Sequence, residues 1–140
     1  MTQLSDFPLC WLWEEHMADF QSLKVWKKAA DYVVAVYQVT DRFPAKERFG
    51  LATHLRKTAV SVLSNIAEGG SKQGGPKDFA NFIRISLGSL GEARAQTYIA
   101  GRLGYLDRSS AIELSARALE LRAILESLRR RAESQTLKDS

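Results

Sequence analysis

The sequence predicts an all-α protein folded as an up-down-up-down antiparallel four-helix bundle. In four successive segments the apolar residues recur at steps of three and four, which is the spacing of one helix face. Short joints that contain glycine or proline separate these segments, and no strand pattern competes with the helices. With 140 residues, of which 45% are hydrophobic and 26% charged, the chain is expected to form one globular domain.

The first helix is predicted over residues 23–42. Ser22 is its predicted N-cap, and Phe43-Pro44 ends it because the residue before a proline is pushed out of the α region. The predicted seam consists of Leu23, Trp26, Ala30, Val33, Tyr37 and Thr40. The two aromatic residues of this seam are accordingly interpreted as core residues and not as platforms on which a base stacks.

The second helix is predicted over residues 46–68, with a buried stripe formed by Ala52, Leu55, Ala59, Val62 and Ile66. Polar side chains in its last turns favour neither the helix nor burial unless something specific contacts them. These residues are Ser61, Ser64, Asn65 and Glu68. We expect them to serve contacts between helices or between subunits. Gly69 and Gly70 are predicted to stop the helix.

The third helix is predicted from residue 76 or 77 to about residue 103, with Pro76 in its first turn and Gly104 as its stop. Its stripe is Phe79, Ile83, Ser86, Leu90, Ala93, Thr97 and Ala100, broadened by Phe82. An interior glycine costs a helix ~1 kcal/mol relative to alanine. Gly88 and Gly91 are therefore predicted to admit the close approach of another backbone.

The glycine-rich loop over residues 69–78 joins the second helix to the third. It lacks the residue order of a nucleotide-binding P-loop, and no strand precedes it. Two interpretations stay open for its lysines, Lys72 and Lys77. The loop is either a plain turn between helices or a mobile basic segment that contacts a nucleic-acid backbone.

The fourth helix is predicted to begin at Ser109 or Ser110 and to end at residue 133, and residues 134–140 are expected to fray. Glu113 follows Ser110 at the spacing of a capping box. The seam consists of Leu114, Ala118, Leu121, Leu125 and Leu128. Three arginines at residues 129–131 lie where the helix dipole favours cations, so they either stabilise the helix end or bind a ligand.

Residues 1–19 are predicted to be an extension to the bundle, which itself spans residues 20–133. The extension carries four carboxylates and no Lys or Arg, so the net charge of +4 for the chain becomes +8 for the remainder. A basic body of this kind favours polyanionic partners. The extension has two open interpretations: an upstream start that precedes a native start at Met17, or an aromatic segment that docks on a partner subunit.

Four ordered motifs carry a family resemblance. They are LKVWKKA from residue 23, VYQVTDRFP over residues 36–44, RFGLATHLRKTAVSVLSNIAEGG over residues 48–70 and SLGSLGEA over residues 86–93. Together they resemble the bacterial four-helix-bundle proteins encoded in intervening sequences of 23S ribosomal RNA genes. The sequence departs from that pattern at His54, where the family tends to have Gln, and at Leu63, where Pro is common. The resemblance implies a pentameric ring, a role with nucleic acid and no established enzymatic activity.

The inventory of reactive residues predicts no enzyme, no metal, no cofactor and no small-molecule substrate. The histidines are His16 and His54, and neither has the three or four converging ligands that zinc needs. Glu68 and Glu92 are the carboxylates beside the family motifs, and we expect them to form structural ion pairs. Their predicted partners are Arg56, Arg84 and Arg94. One cysteine and no apolar run long enough to span a bilayer favour a cytoplasmic protein without membrane contact.

The function predicted from these observations is non-catalytic binding of structured RNA by an oligomeric bundle. The candidate contacts are Lys24, Lys27, Lys28, Arg56, Lys57, Lys72, Lys77, Arg129, Arg130 and Arg131. Phe49 either stacks on a base or forms a hydrophobic staple at the start of the second helix. The alternative function is a protein-interaction scaffold, or an accessory subunit such as one associated with a retroelement. A third, a hydrolase or nuclease that acts on RNA, requires a metal or a general base.

Overall fold

Four α-helices form an antiparallel bundle: α1 Phe20–Thr40, α2 Leu51–Ser71, α3 Gly75–Arg102 and α4 Arg108–Asp139. This is a computed structural model, which describes residues 20–71 and 74–139, and no strand occurs in that part of the chain. Both α1 and α3 pack against α2 and against α4. The predicted four-helix bundle is confirmed. Residues 1–19, to which the predicted extension and His16 belong, lie outside the described residues.

The core is built from the stripes predicted for α2, α3 and α4. All five stripe residues of α2 and all five seam residues of α4 are buried, with Leu55, Ile66 and Leu121 among the most completely enclosed. In α3 the stripe is buried from Ile83 to Ala100, and Phe79 packs on its margin. The step of three and four residues therefore identified the inner face of three helices correctly.

The seam predicted for α1 is off by one residue at Trp26, Ala30, Val33 and Tyr37, whereas its Thr40 is buried as predicted. Its buried residues are Val25, Ala29, Tyr32, Ala35, Val36, Val39 and Thr40. The predicted seam residues Trp26, Ala30 and Val33 are only half-buried, and Tyr37 is 43% exposed. Apolar residues occur in adjacent pairs along this helix, so two neighbouring stripes fit the same spacing. Alanines, valines and the ring of Tyr32 face the core, while the ring of Trp26 packs at its edge and Tyr37 is exposed.

The joint between α1 and α2 is held by the joint between α3 and α4, which lies at the same end of the bundle. A 3-10 turn, Ala45–Glu47, precedes α2, which begins at Leu51 and not at residue 46 as predicted. The Glu47 carboxylate accepts hydrogen bonds from the Leu51 amide at 3.4 Å and from the Tyr105 hydroxyl at 2.9 Å. Phe43 is buried, and its ring centre lies 5.6 Å from that of Tyr105. This end of the bundle is therefore tied together by one carboxylate and an aromatic pair.

The predicted stop of α2 at Gly69 and Gly70 is wrong, because the helix continues through both residues to Ser71. Gly69 is buried against α3. A Cβ atom built at Gly69 would lie 2.9 Å from the Cβ of Phe82, closer than real carbon atoms pack. Glycine is thus needed here for the close approach of two helices and not for termination.

The close approach predicted at Gly88 and Gly91 is likewise corrected. Both glycines are exposed on α3, and a Cβ atom at either would meet nothing within 4 Å. Two serines of α3 make the close contacts with α2 instead. Ser86 donates a hydrogen bond of 2.8 Å to the carbonyl oxygen of Val62, and the Ser89 and Ser61 hydroxyls lie 2.9 Å apart.

The end of α3 follows the prediction. Gly104 adopts a positive φ of 80°, and the Tyr105 amide donates a hydrogen bond of 2.9 Å to the carbonyl oxygen of Ala100. The Gly104 amide bonds the carbonyl oxygen of Gly101 at 3.1 Å, which completes a Schellman motif. Leu106 is then buried, so the chain folds back onto the end of the bundle.

Both ends of α4 differ from the prediction. The helix begins at Arg108, so the residue before it is Asp107 and not a serine. The pKa of the Asp107 carboxyl is lowered, chiefly because it accepts a hydrogen bond from the Ser110 side chain. At the other end the helix runs to Asp139 and not to residue 133 as predicted. Ala132 is buried and extends the core beyond the predicted seam.

Candidate nucleic-acid interface

The three lysines predicted as contacts on α1 differ in their surroundings. Lys28 forms an ion pair with Glu120 of α4, with 2.9 Å between Nζ and Oε1. This hydrogen bond and charge lower the pKa of the Glu120 carboxyl, and Lys24 adds a smaller effect of the same sign. Lys24 and Lys27 are exposed. The charge of Lys28 is therefore balanced within the bundle.

Arg56 is committed to the joint between α1 and α2. Its guanidinium pairs with Asp41 at 2.7 Å, and its Nε donates a hydrogen bond of 2.7 Å to the Thr40 hydroxyl. The same guanidinium lies 4.6 Å from the centre of the Tyr37 ring. These contacts with Tyr37, Thr40 and Asp41 make Arg56 a structural link between α2 and the end of α1. Its ion partner is therefore Asp41 and not Glu68 or Glu92 as predicted.

Arg129 is also paired, with Glu126 at 2.7 Å and with Glu133 at 2.9 Å. These hydrogen bonds raise the pKa of the Arg129 guanidinium, and the bond from Arg84 is the largest cause of the lowered pKa of Glu133. Arg84 thus joins α3 to this network on α4. Since α4 continues to residue 139, the predicted role of residues 129–131 at a helix terminus is wrong.

The remaining predicted contacts are spread over the bundle. Lys57 on α2, Lys77 in the first turn of α3, and Arg130 and Arg131 on α4 are exposed. Lys72 lies outside the described residues. The first turn of α3, the start of α1 and the last turns of α4 share one end of the antiparallel bundle, whereas Lys57 lies nearer its middle. Most of the described candidate cations therefore lie toward one end of the bundle, on three different helices, and two of them, Lys28 and Arg129, are paired with carboxylates.

A different pair of arginines does line a common site. Arg94 and Arg102 of α3 flank an open cleft of about 350 Å³ between α3 and α4, and Tyr98 lies between them in the sequence. The Arg102 Nη1 donates a hydrogen bond of 3.0 Å to the Tyr98 hydroxyl, and its guanidinium carbon lies 5.9 Å from the ring centre. The Tyr98 side chain is 62% exposed. The sequence interpretation overlooked Tyr98 and Arg102, although their spacing of four residues with Arg94 is one face of a helix.

The cleft has an apolar floor and a cationic rim. Ten residues line it, and none of them is a carboxylate: Tyr32, Arg94, Thr97, Tyr98, Gly101, Arg102, Ala111, Leu114, Ser115 and Ala118. Arg94 and Arg102 are both exposed. Arg122, also exposed, follows Ser115 by seven residues and so lies on the same face of α4. This surface presents positive charge over an apolar depression.

Tyr32 reaches the floor of the cleft from α1. Burial raises its pKa to about 12, and this effect outweighs the opposing hydrogen bond with Thr97 and the positive charge of Arg94. The Tyr32 hydroxyl therefore stays protonated at neutral pH.

A second cleft of about 350 Å³ lies at the joint between α1 and α2. Three charged residues line it, and two of them, Asp41 and Arg56, pair with each other, while Arg48 is the third. Phe49, close to this joint, is 87% exposed. It does not form the hydrophobic staple that was one of its two interpretations. The chemistry of this second cleft suits a polyanion less well than that of the first.

Some of the residues predicted as structural or interfacial make contacts within the bundle, whereas others are exposed. Asn65 donates a hydrogen bond of 2.8 Å to the carbonyl oxygen of Ser61 within α2, as expected of a side chain that satisfies backbone groups. Ser64, Glu68 and Glu92 are exposed. Glu92 forms no ion pair with any described residue, so the predicted pairing with Arg84 or Arg94 is not found there.

Two further features bear on the chemistry. Among the described residues, no group of three or more His, Cys, Asp and Glu side chains is arranged to hold a metal ion. His54 is exposed on α2. Within the same part of the chain, no helix has the length and hydropathy required to cross a bilayer.

Comparison with known proteins gives a family and a fold. The family described as 23S rRNA-intervening sequence protein matches residues 21–127. The crystal structure of a protein of unknown function from the S23 ribosomal protein family of Bacteroides thetaiotaomicron VPI-5482 is similar, with a TM-score of 0.73. Its sequence is 19% identical, and the match covers 79% of this chain and 99% of that one, so it shows the fold alone. No curated protein matches the chain in sequence.

Proposed function

The chain belongs to the family of 23S rRNA-intervening sequence proteins, and from this premise we propose that it binds RNA through the cleft between α3 and α4. One observation carries the proposal. Arg94, Tyr98 and Arg102 form a row on α3 above a cleft whose lining contains no carboxylate. Arginines bind phosphate by paired hydrogen bonds, and an exposed aromatic ring stacks on a base. The row therefore combines both kinds of contact that unpaired RNA offers.

Charge outside the cleft adds to this affinity without sequence preference. Lys24, Lys57, Lys77 and Arg130 are exposed, and each phosphate that they neutralise releases counterions into the solution. Arg56 and Arg129 contribute less, because carboxylates of the bundle already pair with them. Structured RNA that also exposes unpaired nucleotides is thus the partner that we propose, in the cytoplasm.

We propose that this binding is not accompanied by catalysis. The two arginines supply positive charge, but the residues that line the cleft include no carboxylate, histidine or cysteine that would act as a base or nucleophile. The check is an incubation of the protein with labelled RNA, with and without a chelator. Intact RNA after binding is expected, and cleavage that is lost in a Glu68→Gln or Glu92→Gln variant would contradict the proposal.

Self-association is a further part of the proposal. The outer face of α3 carries Ile85 and Ile99, about half-exposed, and between them Gly88, whose open surroundings leave room for a neighbouring helix. A second copy of the chain fits such a face, and the family resemblance suggests five copies in a ring. A ring would multiply weak contacts with RNA into avidity. The solution mass tests this, and a species of 15.7 kDa at micromolar concentration would contradict it.

The same exposed apolar residues favour one alternative, a scaffold that binds other proteins. Binding of RNA as a function of salt separates the two functions. For RNA binding, affinity is expected to fall by roughly ten-fold or more as salt rises from ~50 to ~200 mM, because several phosphates are neutralised. A protein that fails to bind RNA at the lower salt concentration would favour the scaffold.

A further inference from the structure

We infer that the cleft between α3 and α4 accepts one unstacked nucleotide of an RNA strand, with its base inserted beside Tyr98. This inference rests on the proposed RNA binding and specifies how the site reads a strand. The cleft is chemically complementary to a nucleotide, because it offers an apolar depression for the base and cations at its edge for the phosphates. Its volume of about 350 Å³ lies at the small end of ligand pockets, which suits a single nucleotide.

The spacing of residues along α3 fits the two phosphates that flank one nucleotide. Arg94 and Arg102 lie one turn before and one turn after Tyr98, so they are about 12 Å apart along the helix axis at ~1.5 Å per residue. A nucleotide has one phosphate on its 5′ side and another on its 3′ side. With the base against the Tyr98 ring, the two arginines flank it where the two phosphates leave the cleft.

The tyrosine is held in position for stacking. The hydrogen bond from Arg102 to the Tyr98 hydroxyl fixes the ring beside the cleft, while 62% of the side chain stays accessible. Across the cleft, α4 presents Ser115, whose exposed hydroxyl can donate to or accept from a base edge or a ribose 2′-hydroxyl. A base in this position would lie between the ring on one helix and the polar side chain on the other.

A duplex cannot use the cleft in this way, because its bases are paired and stacked inside the helix. The phosphates of a duplex can still contact the arginines. The inference therefore separates two parts of the affinity: a backbone part that depends on salt, and a base part that depends on access to the cleft.

Gly101 makes the cleft testable without removal of any charge. It lines the cleft, and a Cβ atom built there meets nothing within 4 Å, so Gly101→Leu is expected to extend its side chain into the cleft. Leucine also favours the helix more than glycine does, so the fold is retained. Tyr98→Ala is a second variant that removes the stacking surface. Ala116→Leu is the matched control, because it adds the same side chain to an exposed position of α4 that does not line the cleft.

The experiment compares the affinity of the full chain for a single-stranded RNA oligonucleotide and for an abasic oligonucleotide of equal length. The wild-type protein and Ala116→Leu are expected to bind the strand with bases roughly ten-fold more tightly, the contribution of about one stacked base. In Gly101→Leu and Tyr98→Ala this preference is expected to disappear, while the dependence on salt persists. Far-ultraviolet circular dichroism checks that each variant keeps its helices.

The outcomes distinguish the two proposals. If the wild-type protein binds neither oligonucleotide, the proposed function fails and the inference with it. If it binds both equally, or if Gly101→Leu and Tyr98→Ala keep the preference for bases, RNA binding stands and the inference is overturned. A free nucleoside monophosphate that binds the wild-type protein as tightly as the strand does would overturn the assignment of the cleft to RNA.

Discussion

The hydroxyl of Ser86 on α3 donates a hydrogen bond of 2.8 Å to the carbonyl oxygen of Val62 on α2, and the Ser86 side chain is completely buried. This bond joins the two helices with the most extensive mutual packing in the bundle. A small hydroxyl in the core keeps the helices close, because a larger apolar residue would separate them. The carbonyl of Val62 lies within α2, so it also serves the hydrogen bonds of its own helix.

Replacement of Ser86 tests the importance of this bond. Ser86→Ala is expected to lower the free energy of unfolding by about 1 kcal/mol, the net value of a buried hydrogen bond. Ser86→Leu is expected to lower it by more, since extra methylenes in a filled core cost about 1 to 3 kcal/mol. Urea titration followed by circular dichroism measures both. A leucine variant as stable as the wild type would show that the helices are not held close at this point.

Two glycines on neighbouring helices should respond oppositely to alanine. Gly69→Ala places a Cβ atom 2.9 Å from that of Phe82, so α2 and α3 must separate and the protein is expected to lose about 1 to 3 kcal/mol of stability. Gly88→Ala meets nothing within 4 Å and is expected to gain about 0.5 to 1 kcal/mol from helix propensity. Urea midpoints of the two variants decide, and equal shifts in one direction would contradict the packing described for Gly69.

Tyr32 predicts an alkaline transition. Burial raises its pKa from 10.0 to about 12, so the folded state favours the neutral hydroxyl. The neutral Tyr32 hydroxyl contributes fully to the free energy of unfolding below pH 10. This contribution falls by about 2 to 3 kcal/mol as the pH rises from about 10 to 12. Tyr32→Phe removes the titrating group. The difference in stability between wild type and Tyr32→Phe should therefore change over this pH range, and a constant difference would contradict the burial of the hydroxyl.

Asp107 predicts a loss of stability in acid. Its pKa is lowered from 3.8, first by the hydrogen bond from the Ser110 side chain, so the folded state favours the carboxylate. This contribution is present above pH 3.8 and declines as the pH falls through the lower pKa of the folded protein. Asp107→Asn lacks the charge at all pH values. Thermal unfolding should thus show a gap between the two proteins at pH 7 that narrows towards pH 2. A gap of constant size would contradict the role of the charge.

The sequence was sufficient for the fold wherever one apolar stripe was available. In α2, α3 and α4 a polar residue flanks nearly every core position, so the spacing leads to a single face. In α1 the pairs Val25-Trp26, Ala29-Ala30 and Val36-Tyr37 offer two faces, and packing against α2 and α4 decides between them. Helix ends were harder to predict. Gly69 and its neighbouring glycine are typical of a helix end, and only the contact with Phe82 shows that Gly69 instead allows α2 and α3 to pack closely.

The candidate site was less accessible to sequence reasoning, because it depends on which charges find partners. Arg56 meets Asp41 across a turn, and Lys28 meets Glu120 across the bundle, and neither pairing follows from helical spacing. The cleft combines residues of three helices, among them Tyr32 of α1, which the predicted seam did not include. The spacing of Arg94, Tyr98 and Arg102 was visible in the sequence, but the absence of carboxylates around them was not.

Binding of single-stranded RNA at several salt concentrations, with Arg94→Gln/Arg102→Gln compared with the wild type, tests the central proposal most directly. Lys46→Gln/Arg117→Gln is the matched control, since it removes two charges outside the cleft. Loss of two phosphate contacts should reduce the slope of log affinity against log salt by about 1.4. We predict this reduction, with weaker binding, for the cleft variant alone. Equal slopes in the wild type and the cleft variant would contradict RNA binding through this site.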